Sequence, residues 1–130
     1  MKRNLLILGI SILLTLLTIS GCSSTNEGSV QTIEAYLQAF IEKNKDQMIN
    51  FSCGIWEEQA VMELDAFQTV EIELAGVSCQ ETENTGESAL VICEGEILAT
   101  YNEEKQSFPL SGRTYSVLKE GGEWRMCGYQ

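Results

Sequence analysis

The chain is expected to fold as an α+β domain: N-terminal helices packed on a curved four-stranded antiparallel meander. Two observations carry this. Apolar residues recur at offsets of three, four and seven from Val30 to Phe67, and from Val70 onward the period shortens to two. A third bounds the answer: 130 residues allow one ordinary domain and not two. Helices followed by strands, without βαβ alternation, place the helices on one sheet face.

Val30, Ile33, Leu37, Phe40 and Ile41, with Tyr36 beside them, form one stripe on a helix over 30–44. Ser29 stands where an N-cap belongs, and Lys43 and Lys45 stand where the helix dipole favours cations. Asp46 is placed to cap a short second helix through Met48, Ile49 and Phe51. After Ser52-Cys53-Gly54, Trp56, Ala60, Leu64 and Phe67 share one face of a third helix. Glu57, Glu58, Glu63 and Asp65 are read as its wet side.

Val70, Ile72 and Leu74 alternate with Glu71 and Glu73, the pattern of a half-buried strand. Residues 83–87 make a polar turn. In the strand 89–101, Glu94 and Glu96 fall on one face, and Val91, Cys93, Ile97 and Ala99 on the other. A turn is expected over 102–106, then a third strand over 110–119 with Pro109 at its entrance, where a missing N–H costs little. Gly121-Gly122 is a hairpin turn into the last strand, 124–129. No strand-to-helix context makes it a phosphate loop.

The first residues read as an address. Met1-Lys2-Arg3 is cationic, and the apolar run from Leu5 to Ile19 is short and interrupted, as in the core of a secretory signal. Ile19-Ser20-Gly21-Cys22 resembles the bacterial lipobox. That resemblance implies cleavage before Cys22, lipidation of its thiol and acylation of the new amino terminus. Residues 1–21 are thus expected to be a lipoprotein signal peptide, 22–29 the lipidated Cys and a short tether, and 30–130 the domain. The expected location is the outer face of a bacterial envelope membrane, with the bilayer engaged through the Cys22 lipid. Removing the leader leaves six basic residues against 19 acidic ones, so attachment rests on lipid and not on charge.

Composition excludes several functions. With no His, no Ser-His-Asp or Cys-His nucleophile system and no imidazole acid or base can be built. A formal charge of −11 argues against nucleic acid. Besides Cys22 there are four cysteines, Cys53, Cys79, Cys93 and Cys127, an even number in an exported domain. Their wide spacing lacks the close pairs of a zinc site, so no metal or cofactor is expected. Four cysteines allow three pairings. Cys79 and Cys93 lie equidistant from Gly86, which a hairpin brings opposite, leaving Cys53 for Cys127. Cys79 is out of phase with Val70, Ile72 and Leu74, so this pairing requires a bulge near Ala75-Gly76.

Helix, Lys43-Asn44-Lys45-Asp46 connection, second helix and a curled sheet ending in Gly121-Gly122-Glu123-Trp124-Arg125 together resemble the nuclear transport factor 2-like cone fold. The resemblance covers about residues 29–130 and implies a concave sheet roofed by helices. It also implies that enzymatic relatives use an Asp base with Tyr donors, or a His-Asp pair. The pair is excluded here. Asp65 and Tyr101 could be cast in the Asp and Tyr roles, yet Asp65 reads as a solvated helix residue, and no catalytic residue is assigned. Tyr36, Trp56, Tyr101 and Tyr115 are the candidates to line a pocket. The expected function is a non-enzymatic, membrane-anchored domain that binds a small apolar ligand or acts as an envelope scaffold. The alternatives are an accessory subunit docking a basic protein partner, and an isomerase or lyase.

Overall fold

The computed structural model describes residues 27–130. The signal segment, Cys22 and residues 23–26 lie outside the described residues, and Glu27 to Ser29, expected as the end of the tether, belong to the first helix. Three helices precede five strands: α1 Glu27–Ile41, α2 Lys45–Phe51, α3 Glu57–Ala66, β1 Glu71–Asn84, β2 Ser88–Tyr101, β3 Glu104–Pro109, β4 Thr114–Glu120 and β5 Glu123–Tyr129.

The stripe of α1 is buried as its spacing requires, with Ile33, Tyr36, Leu37 and Phe40 all in the core. Ser29 is not an N-cap. It lies inside α1, fully buried, and its hydroxyl donates to Glu81 of β1. Lys43 does not serve the dipole either. It turns the chain with φ 56°, and its Nζ donates to the carbonyls of Gln68 and Val70 at 2.9 and 2.7 Å, tying the α1–α2 corner to the start of β1. Asn44, not Asp46, caps α2, its side chain accepting from the Gln47 amide at 3.1 Å. Ala60 and Leu64 carry α3 onto the core.

The sheet has five strands and is not a simple meander. A tight turn at Asn102–Glu103, both at positive φ, reverses β2 directly into β3. β3 pairs one half of β2, from Glu96↔Pro109 to Tyr101↔Glu104, and β4 pairs the other half, from Ile92↔Thr114 to Ser88↔Leu118. The long strand β2 is therefore the shared spine, with β1 along its other edge. Pro109 ends β3 instead of opening β4. The extra strand hid in Lys105-Gln106-Ser107, a polar run on an exposed edge where alternation carries no hydrophobic signal.

Three register shifts curl this sheet, at Ala75/Ser78 and Glu81/Glu83 in β1 and once in β5. The β1–β2 register shifts between Ala75 and Ser78, which reverses the facing of β1 and puts Cys79 opposite Cys93. Gly95 sits across that shift at φ +95°, where a Cβ would fall 2.6 Å from the carbonyl oxygens of Ala75 and Gly76. Only glycine fits both the conformation and the space. The shift in β5 lies between the pairs Tyr115↔Tyr129 and Val117↔Met126, where β5 carries one residue more than β4. The helical layer is joined to β5 by the Cys53–Cys127 disulfide, and Cys79–Cys93 crosses the β1–β2 hairpin. Beside the first, the Cys53 amide donates to Met126 O at 2.9 Å.

Candidate functional site: a cavity beneath the first and third helices

The curled sheet and the helical roof do not close completely. They leave a cavity of about 70 Å³, and its walls divide by chemistry. Leu37, Phe40, Phe67, Ile97 and Phe108 make an apolar end. There the Phe67 ring meets Phe40 and Phe108 edge-on, at 5.3 and 5.7 Å between centroids. Tyr36, Glu63, Arg113, Tyr115 and Tyr129 make the polar end.

Glu63 organises the polar end. The Tyr129 hydroxyl donates to its Oε1 at 2.6 Å and the Tyr36 hydroxyl to its Oε2 at 3.1 Å. Behind Tyr36, the Trp56 indole Nε1 donates to the Tyr36 oxygen at 3.2 Å. Each carboxylate oxygen thus accepts one phenol and keeps a free lone pair. Burial raises the Tyr36 pKa well above the ordinary tyrosine range, and the negative charge of Glu63 raises it further. Burial, then the hydrogen bond to Glu63 and its charge, push Tyr129 up to about 12. Both phenols are therefore held as neutral donors.

Arg113 enters from the loop between β3 and β4. That loop is pinned at Leu110, which is fully buried and whose amide donates to Gly95 O at 2.9 Å. The guanidinium carbon lies 4.5 Å from the centroid of the Tyr129 ring, a cation–π contact. Arg113 is half-buried, and no carboxylate of the described residues lies within ion-pair distance of it. Tyr115 stands beside it on β4, fully buried, with a hydroxyl that has no hydrogen-bond partner. Burial raises the Tyr115 pKa, and the nearby Arg113 charge pulls it partly back.

The pocket candidates from sequence separate here. Tyr36 and Tyr115 line the cavity, and Trp56 supports it from one layer behind. Tyr101 does not belong to it. It is 42 % exposed, the last residue of β2 before the Asn102–Glu103 turn. Asp65 and Glu94 are exposed. Glu96 is half-buried and accepts from the Ser107 hydroxyl. Among the described residues, Cys53, Glu120 and Cys127 are the one cluster with metal-ligand atoms close together, and both its sulfurs are in a disulfide. A cystine offers no thiolate, so this cluster does not fit a metal.

Three residues of the polar end were not read from sequence, and Glu63, assigned to the wet side, is the plain correction. Trp56, Ala60, Glu63 and Phe67 follow offsets of four, three and four, so Glu63 stands within the inward stripe. That spacing was a usable signal. Tyr129 had none: three residues after the inward Met126, it faces the cavity only through the β5 bulge. Gly128 makes that bulge at φ +117°, with the Trp56 ring 3.1 Å from where a Cβ would be. Arg113 lies in a loop, where no periodicity operates.

No family model matches the chain, and no curated protein does. Solved structures do. A protein with a cystatin-like fold from Caulobacter vibrioides superposes with a TM-score of 0.59 at 12 % identity, covering 82 % of this chain and 87 % of that one. A nuclear transport factor 2-like protein of unknown function from Pseudomonas putida gives 0.56 at 13 %, covering 81 % and 83 %. An epoxide hydrolase of Mycobacterium tuberculosis gives 0.54 at 14 %, covering 82 % and 86 %. At such identities the likeness carries fold and not chemistry. Three N-terminal helices roofing a curled antiparallel sheet, superposable on these structures over four-fifths of its length, give this chain the nuclear transport factor 2-like fold.

Proposed function

We propose that this chain is a lipoprotein of the bacterial envelope, anchored through Cys22, whose domain binds a small, largely apolar ligand without transforming it. The observation that carries the reading is the cavity: an aromatic-lined end closed by a few fixed polar groups is the general form of a small-molecule site. Glu63 invites comparison with a catalytic base, since it is a half-buried carboxylate on the cavity wall. Both its oxygens already accept phenol hydrogens, which fixes the carboxylate as an acceptor between two tyrosines. Binding is the simpler use of such a group.

Two measurements test this. An NMR titration of the soluble domain from residue 23 onward with benzyl alcohol should shift resonances of Leu37, Phe67 and Phe108. Unmoved lining residues would remove the ligand-site reading. For the anchor, Cys22→Ser should abolish fatty-acid labelling in the host cell. Continued labelling of that variant would remove the lipoprotein reading.

A further inference from the structure

We infer that the polar end of the cavity receives a small zwitterion of the α-amino acid type, its carboxylate on Arg113 and Tyr115, its ammonium on Glu63, and its short side chain toward the phenylalanines. This rests on the reading of the cavity as a ligand site. The observation is a pair of opposite charges on one cavity wall that do not neutralise each other. Arg113 and Glu63 both line the cavity, yet they form no ion pair. Tyr129 stands between them, its ring under the guanidinium and its hydroxyl on the carboxylate. Tyr36 holds the carboxylate from the other side. Two half-buried opposite charges in low dielectric would ordinarily close on each other. Here each is held in place separately.

The alternatives fail on charge. A simple anion on Arg113 meets Glu63, and a simple cation on Glu63 meets Arg113. A neutral molecule that fills both ends desolvates both charges and pairs neither, whereas one confined to the phenylalanine end leaves the polar end unused. A dipolar ligand answers both at once. The Tyr115 hydroxyl adds an independent observation, since it is fully buried beside Arg113 with its donor unused. The guanidinium offers five donors in a fork suited to a carboxylate, and the phenol supplies one more. On the other wall, the free lone pair on each Glu63 oxygen suits an ammonium. The volume of about 70 Å³ limits the side chain to a few carbons.

The experiment is an NMR titration of the labelled domain, whose core lies wholly within the described residues, with three probes: L-valine, isovalerate and isobutylamine. The last two are valine without its ammonium and without its carboxylate. Valine should shift the amides of Glu63, Arg113, Tyr115 and Tyr129, and bind about tenfold or more tightly than either half-molecule, since each loses one charge-assisted contact. Arg113→Gln should lower valine to the level of isobutylamine. Glu63→Gln should lower it to that of isovalerate, and the dispersion of each spectrum reports that the variant is folded. If Glu63→Gln does not fold, the wild-type comparison and Arg113→Gln decide. Either half-molecule binding as tightly as valine overturns the inference. If valine does nothing while benzyl alcohol still shifts the lining, the zwitterion is wrong and the ligand site stands. If neither acts, both readings fall.

Discussion

Replacing Tyr115 by phenylalanine should make the unliganded domain more stable. Tyr115 is 0 % exposed and its hydroxyl has no hydrogen-bond partner. Burying such a group costs about 1–3 kcal/mol, and the neighbouring Arg113 charge recovers part of that. The ring contributes the rest of the packing, including its tilted contact with Tyr129 at 5.5 Å, and phenylalanine keeps it. The net gain should be about 1 kcal/mol, or roughly 4–8 °C in Tm for a domain of this size. Urea denaturation of both proteins with disulfides intact measures it, and an unchanged slope shows that the same structure is unfolding. A loss of about 0.5 kcal/mol or more would show that the hydroxyl is already satisfied, and the case for it as an unused donor would collapse. The same variant should bind valine less tightly than the native protein. A site residue that costs stability is expected to repay it in affinity.

Raising the pH should destabilise the fold. Tyr36, Tyr115 and Tyr129 all have folded pKa values above the unfolded tyrosine value of about 10, so their contribution is intact below that pH. It is lost as pH climbs toward the folded values, about 12 for Tyr129, and equilibrium unfolding at stepped pH should show the decline. Stability that stayed flat across that window would contradict the buried phenols. Gly95→Ala should cost about 2 kcal/mol or more, from positive φ and from the Cβ set 2.6 Å from two carbonyl oxygens; urea midpoints read it, and a near-neutral result would mean the bulge is misplaced. The two disulfides should differ. Removing Cys79–Cys93, separation 14, should cost about 3 kcal/mol, and Cys53–Cys127, separation 74, about 4.5 on the chain-entropy scale. Denaturation of the paired Cys→Ala variants tests that order, and a larger loss for the short loop would reverse it.

Local periodicity by itself determined much of this protein. The α1 stripe of Ile33, Leu37 and Phe40, and the alternation at Ile72 and Leu74, are geometric consequences of 3.6 and 2 residues per repeat, and the structure buries them accordingly. The phase conflict between Leu74 and Cys79 even located the β1 bulge, because a two-residue period can be reversed only by an inserted residue. What tertiary structure alone decided lies where that logic has no purchase. β3 is polar on an exposed edge and shows no hydrophobic alternation. Tyr129 faces the cavity through an extra residue in β5, set by Gly128 yielding to Trp56, the residue that precedes α3. Arg113 is held by a loop pinned to Gly95. Glu63 sits in the inward stripe of α3, but a carboxylate there reads as solvated until its phenol partners are in place, and Tyr36 and Tyr129 come from 27 residues before it and 66 after it. Burial of a charge is decided by its partners, and partners so far apart in sequence meet only when the fold brings them together.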